Sequence, residues 1–171
     1  MPMLVPIHNC LFESRNKREL EELMKSHFGI ISKVAFTYSN SQLECEDLKQ
    51  EISYQICKAY SGFKHKSKVT TWMYQIAINT CMNHIRKRKP EVEQFSSQHD
   101  RPNEEPESHP KAHLLKNAIN GLKETDKSLV ILYLEELPYK QIAEITGLSE
   151  NLIAVKMLRI KNKLKEVLNG K

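Results

Sequence analysis

Residues 90–110, PEVEQFSSQHDRPNEEPESHP, cannot take part in a packed core. They hold four prolines, Pro90, Pro102, Pro106 and Pro110, six acidic residues against one basic residue, and hardly an apolar side chain besides Val92 and Phe95. A stretch this polar buries too little apolar surface to offset the entropy of its own ordering, so it reads as a linker. With 171 residues, the chain has room for one ordinary domain or two small ones, and the linker decides for two. Charge divides at the same place. Residues 1–89 hold 14 Lys or Arg against 8 Asp or Glu, and residues 111–171 hold 11 against 7, so blocks of net charge +6 and +4 flank a connector of −5. The whole chain carries +5 with a pI near 9.0, a balance that favours a polyanionic partner without requiring one.

Four cysteines, Cys10, Cys45, Cys57 and Cys81, show no C-x-x-C spacing and no His at metal-ligand distance in sequence, so they read as small apolar residues in a reducing compartment. The opening MPMLVPIHNC lacks a charged signal-like region, and no stretch approaches about 18 uninterrupted apolar residues. The expectation is a cytoplasmic chain with no membrane insertion, no metal and no cofactor.

The periodicity is helical throughout. A first helix is expected from about Asn16 to Tyr38, with Leu20, Leu23, His27, Ile31, Val34 and Tyr38 on its buried stripe and His27 as a core or boundary residue. Ser39, Asn40 and Ser41 interrupt it. A second helix, from about Glu44 to Tyr60, buries Cys45, Leu48, Ile52, Ile56 and Ala59 and turns Glu46, Asp47, Gln50 and Glu51 outward. Clustered carboxylates suggest Mg²⁺ and a nuclease or polymerase, but these lie within two turns of one helix and no second cluster completes a site. A solvated face or a polar protein-binding surface fits them better.

Phe63 to Pro90 reads as a basic, flexible loop leading into a helix. Lys64, Lys66 and Lys68 alternate beside Phe63 and His65, offering charge for phosphates and rings for bases, the needs of a single-stranded polyanion. Thr70 or Thr71 is the expected cap. Met73, Ala77, Thr80, Cys81 and Ile85 fall on one apolar arc, while Trp72, Gln75, Asn79, Asn83 and Arg86 line the opposite face. A plain solvated face would carry Glu and Lys rather than a Trp in line with amides, groups that stack on bases and bond to their edges. A surface helix with a half-buried Trp is the alternative.

Beyond the linker, helices are expected at about Lys111–Gly121 and Thr125–Leu137, the second capped by Thr125 or Asp126 and buried because SLVILYLEEL is apolar nearly all round. Pro138 starts a short helix that ends at Gly147 in a left-handed turn. Ser149 caps the last helix, which buries Ile153, Met157, Ile160, Leu164 and Leu168 and presents Lys156, Arg159, Lys161, Lys163 and Lys165. With Ala143 at the helix crossing, this is a helix-turn-helix, which places a capped N-terminus and a row of cations against duplex DNA.

In this order the parts resemble a bacterial RNA polymerase sigma factor of the extracytoplasmic-function group. ECEDLKQEI at 44–52 resembles the family's D-A-E-D-L-x-Q-E-x-F segment. TTWMYQIAINTCMNHIRKR at 70–88 resembles its x-x-W-L-Y-R-I-A-x-N-x-x-x-D-x-x-R-x-x helix, and PYKQIAEITGLSENLIAVKMLRIKNKL at 138–164 its final helix-turn-helix. The resemblance implies an all-α fold of two small helical domains, 13–89 and 111–171, joined by the linker 90–110. It implies docking on the clamp helices of core polymerase by Asp47, Leu48, Gln50 and Glu51. Capture of the minus-ten strand would fall to Phe63, Lys64, Lys66, Lys68, Trp72, Gln75, Asn79, Asn83 and Arg86. Reading of the minus-thirty-five element would fall to Ser149, Asn151, Ala154, Val155, Lys156, Leu158, Arg159 and Lys163. The second domain would sit on the polymerase flap and the acidic linker would thread the RNA exit channel. An anti-sigma partner is implied, and neither an enzymatic site nor a small-molecule substrate. Some positions depart from the pattern. Ala154 and Val155 replace a basic and a small polar residue, which turns base readout towards thymine methyls, His84 replaces a frequent Asp, and Lys64-His65-Lys66 follows Phe63 where Arg-Gly is common. A stand-alone helix-turn-helix regulator is the alternative class, with a pseudo-palindromic site bound without polymerase.

Overall fold

A computed structural model describes residues 14–92 and 110–168, and the described elements are all helical. The opening stretch 1–13 and most of the linker, 93–109, lie outside the described residues. The helices fall into two compact units.

The N-terminal unit contains α1 (Ser14–Ser26), α2 (Phe28–Tyr38), α3 (Gln42–Tyr60) and α4 (Val69–Val92). The single first helix expected from periodicity is two. The break falls at His27, whose Nδ1 lies 3.1 Å from the Leu23 carbonyl, while the Ser26 hydroxyl donates to the Glu22 carbonyl at 2.8 Å. Side chains that compete for the last carbonyls, followed by Gly29, end a helix that apolar spacing alone would continue. Leu20, Ile31, Val34, Leu48, Ile52, Ile56, Met73, Ala77 and Cys81 form the core on which α2, α3 and α4 pack against one another.

Ser41, not a residue inside the expected helix, caps α3: its hydroxyl accepts from the Glu44 amide at 3.1 Å. Glu44 reaches back to accept from the Asn40 amide at 2.7 Å, a reciprocal arrangement close to a capping box. Thr70 and Thr71 do not cap α4, because the helix already starts at Val69 and Trp72 donates to the Lys68 carbonyl at 3.1 Å. At its far end α4 passes Pro90 and ends at Val92, taking in the first three residues of the stretch read as linker.

The C-terminal unit contains α5 (Pro110–Asn120), α6 (Glu124–Leu134), α7 (Tyr139–Thr146) and α8 (Glu150–Leu168). Pro110 occupies the first position of α5, where its missing N–H is no loss. Lys123 stands at the α6 N-cap, so Thr125 and Asp126 lie in the first turn, where Glu124 and Asp126 meet the positive end of the helix dipole. Residues Leu129 to Leu132 are buried in succession, as the all-round apolar run predicts, but Tyr133 and Leu134 are exposed because the helix stops there. Glu136 closes it in the left-handed region (φ 57°), with Leu137 donating back to the Leu132 carbonyl. Gly147 (φ 72°) makes the left-handed turn between α7 and α8 that its place in the sequence predicts. α8 packs Ile153, Met157 and Ile160 against α5, α6 and α7, whereas Leu164 is half-buried and Leu168 exposed.

Candidate nucleic-acid interface

The loop after α3 is folded back on α4. Gly62 and Phe63 donate to the Ala59 and Tyr60 carbonyls, which turns the chain sharply, and the Phe63 ring then stacks on Trp72 with centroids 4.6 Å apart and planes at 29°. His65, in the left-handed region (φ 53°), brings its ring within 4.5 Å of Phe63, and Tyr60 lies 6.5 Å from Trp72. The expected flexible loop is therefore pinned by rings at its base while Lys64, Lys66 and Lys68 stay exposed. Burial, and after it the Glu19 carboxylate, raises the Tyr60 phenol above its usual range, so this cluster carries no phenolate to repel phosphate.

From Trp72 a polar strip runs down α4. Gln75, Asn79, Asn83 and Arg86 are exposed and share the Trp72 side of the helix, with Asn79 about 10 Å along the axis from Trp72 and Arg86 about 20 Å. The opposite side, Met73, Ala77, Thr80 and Cys81, is buried. Burial, then the neighbouring Cys45 and Glu44, pushes the Cys81 thiol up to about 12, so it is an inert part of the core. The arrangement offers a ring platform for stacking, amides for base edges and cations for phosphates in one line. Tyr60 belongs to the platform, and its position three residues before Phe63 is the signal that periodicity alone did not weigh.

The far end of α4 is tied to the start of α3. Glu44, whose side chain is only 11% exposed, bonds Arg88 and lies 3.4 Å from His84 Nε2. These residues are 40 and 44 positions apart in the chain, beyond the reach of any helical spacing rule. On α3, Asp47, Gln50 and Glu51 are exposed, Glu51 accepting from Gln55 at 2.8 Å. Leu48, grouped with them by the resemblance, is 1% exposed. Its side chain belongs to the core and can only support a docking surface. Among the described residues no three His, Cys, Asp or Glu side chains gather closely enough to hold a metal ion.

In the C-terminal unit the Ser149 hydroxyl accepts from the Leu152 amide at 3.3 Å, leaving the other first-turn amides of α8 directed outward. Asn151, Leu152, Ala154, Val155, Leu158 and Arg159 are exposed. Two cations expected on the DNA side are turned inward to their own unit. Lys156 is half-buried and donates to Asp126 at 3.0 Å, and Lys163 donates to the Gly121 carbonyl at 3.3 Å. Lys161 donates to the Tyr133 hydroxyl at 2.9 Å and sits 4.1 Å from the centre of that ring, a bond that raises its pKa further.

A ring-and-amide strip in one helical unit and a helix-turn-helix in a second define a two-part nucleic-acid-binding protein. The family model Sigma-70 region 2 matches residues 23–91, and Sigma-70, region 4 matches residues 112–164. The chain belongs to the sigma-70 family of RNA polymerase sigma factors, in its extracytoplasmic-function group. It is 27% identical over 134 residues to RNA polymerase sigma factor SigV of Bacillus subtilis, covering 74% of this chain and 77% of the relative. It is 25% identical to RNA polymerase sigma factor YlaC of the same organism over 161 residues, 89% and 93% of the two chains. Among solved structures, the sigma factor RpoE of Bartonella quintana, crystallised with the anti-sigma factor NepR, shares the fold with a TM-score of 0.75 at 22% identity over 89% of this chain and 98% of that one. Among the described residues no helix is long and apolar enough to cross a membrane.

Proposed function

We propose that this sigma factor recruits core RNA polymerase to promoters and then holds one strand of the opened duplex. The exposed Asp47, Gln50 and Glu51 of α3 dock on the polymerase clamp. α8 lies in the major groove of the minus-thirty-five element while its unit rests on the flap. The Phe63–Trp72 platform and the α4 strip receive the minus-ten strand, a flipped base stacking on a ring while Asn79 bonds its edge. The observation that carries this reading is the stacked Phe63–Trp72 pair in line with exposed amides, a surface suited to unpaired bases rather than to a duplex. The protein has no reaction of its own, and its work is done in the cytoplasm. An anti-sigma protein holds it inactive, as NepR is bound to RpoE in the related structure.

The test is to mix the purified full chain with core polymerase, follow comigration on a sizing column, and assay transcription from a library of upstream sequences. Comigration with sequence-dependent initiation supports the reading. Specific duplex binding without any association with core polymerase would sink it in favour of a stand-alone regulator.

A further inference from the structure

The outward face of α8 is unusual for a helix that enters a negatively charged groove. Helical geometry puts Asn151, Val155, Leu158 and Asn162 down its middle, with Leu152 and Arg159 along one edge and Ala154 and Lys165 along the other. Leu152, Val155 and Leu158 are 43%, 48% and 63% exposed, so three large aliphatic side chains face solvent where base edges would lie. They are not spare core residues, since Ile153, Met157 and Ile160 on the opposite side already fill the interior. Three of the cations are meanwhile engaged within the unit: half-buried Lys156 bonds Asp126, and exposed Lys161 and Lys163 bond the Tyr133 hydroxyl and the Gly121 carbonyl. Among the described residues, Arg159 and Lys165 are the α8 cations that bond nothing within the unit.

An aliphatic centre with a cation on each edge matches one chemistry of the major groove. Every base pair presents donors or acceptors there, and A·T pairs add an apolar feature, the thymine C5-methyl group. Phosphates line the walls on both sides, where Arg159, Lys165 and the capped N-terminus of α8 meet them. Val155 and Leu158 lie on the same face about 4.5 Å apart along the helix axis, close enough together to pack against neighbouring base pairs.

We propose that α8 selects its upstream element through thymine methyl groups packed against Val155 and Leu158, which makes neighbouring thymines the required feature of that element. The inference rests on the reading of α8 as the upstream-duplex helix and names what it reads. Leu152 covers the edge of the same apolar patch, and Asn151 and Asn162 supply the polar contacts at its two ends.

The experiment uses full-length protein with core polymerase. Upstream sequences are first selected from a randomised duplex, and each thymine of the selected element is then replaced in turn by deoxyuridine, which removes the methyl and leaves every hydrogen-bonding group in place. Loss of one buried methyl corresponds to roughly fourfold weaker binding, and two neighbouring positions are expected to show it. Val155→Ala with Leu158→Ala, both at exposed helical sites where Ala is well tolerated, is expected to bind the thymine and deoxyuridine duplexes alike, with an unchanged thermal melt. If deoxyuridine is bound as well as thymine by the native protein while Arg159→Ala still weakens binding, the methyl inference is overturned and the upstream-duplex reading stands. If the double variant loses core association and keeps full thymine discrimination, the patch is a protein-binding surface and the inference is again overturned. If no upstream sequence is selected at all, the reading of α8 beneath it falls as well.

Discussion

α4 and α8 are the two long helices whose outer faces meet nucleic acid in the proposed function, and their faces are chemically opposite. α4 shows an aromatic platform and amides; α8 shows aliphatic side chains edged by cations. The difference follows from what each target exposes. An unpaired base offers its flat face and its pairing edge, which call for rings and amides. A base inside a duplex offers only its groove edge, where a methyl can be packed but no face can be stacked. The buried sides of the two helices are alike, being plain apolar arcs, so in the proposed function the distinction between melting and reading lies wholly in the outward residues.

The sharpest way to break the comparison is to strip α4 of its strand chemistry. An extruded base costs a few kcal/mol of unstacking, which the platform must offset. Phe63→Ala with Asn79→Ala is therefore expected to reduce open complexes on duplex promoters by about 2–3 kcal/mol, roughly a hundredfold, with core binding and closed-complex binding intact. Permanganate reactivity of the minus-ten thymines measures it, and a template with a pre-melted bubble should restore part of the transcription. Normal melting by the double variant would remove α4 from the strand-capture role. So would a defect that is equally large on the bubble.

A smaller effect is expected at Arg159, the exposed arginine of α8. Arg159→Ala should weaken upstream binding by about 1–3 kcal/mol and relax selection at one base pair if it contacts a base, as fluorescence anisotropy on single-substitution duplexes would show. A uniform loss across all sequences would make it a phosphate contact. Lys156→Ala supplies the contrast: being committed to Asp126, it should change the melting of the unit by up to about 1 kcal/mol and leave sequence preference alone.

The helical class, the two-unit division and the helix-turn-helix were legible because they rest on local rules: apolar spacing, Gly147 at a left-handed turn, Ser149 at a cap. Errors arose where a side chain overrode its local pattern. His27 breaks a periodic stripe by bonding a carbonyl; Leu48, by contrast, is buried as its spacing predicts, and only the resemblance grouped it with exposed neighbours. The bonds of Lys156 to Asp126 and of Lys163 to the Gly121 carbonyl were not legible either, because spacing says which face a residue is on but not which partner its long stem will reach. The Phe63–Trp72 stack and the Glu44–Arg88 bond were invisible for a related reason, since they join separate elements through the fold.

The N-terminal unit also has a second polar face, on α3, and its chemistry sharpens the contrast because it is acidic where the proposed DNA faces are basic or neutral. Asp47→Ala with Gln50→Ala should weaken core polymerase binding by about 1 kcal/mol for each residue that is a hot spot, leaving the melting temperature and single-strand binding unchanged. An unchanged pull-down would show that the α3 acids are merely solvated. A loss of strand capture with normal core binding would place them on the wrong side of the division.

The smallest expected effect asks whether the α4 strip depends on a brace, since its distal end, next to Asn83 and Arg86, is tied down by Glu44. Burial raises the Glu44 carboxyl's pKa, but the Asn40 amide, Arg88 and His84 together outweigh it and hold the group below its ordinary value of 4.5. Lys87 and Asp47 line the same depression and supply the remaining charges around it. A carboxyl depressed in the folded state contributes stability that is fully present above the unfolded value and is lost as pH falls through the folded one. Glu44→Gln should therefore destabilise the N-terminal unit near neutral pH by on the order of 1 kcal/mol, screened because Arg88 is half exposed, and lower its melting temperature by about 4–8 °C. The gap between the variant and native protein should persist at pH 4.5 and close only as the pH falls further, through the depressed folded value, where native Glu44 becomes neutral. Thermal melts of both proteins across that range decide the matter. A gap that stays constant at every pH would mean that the substitution disturbs packing, and that the ionised carboxylate does not hold the end of α4.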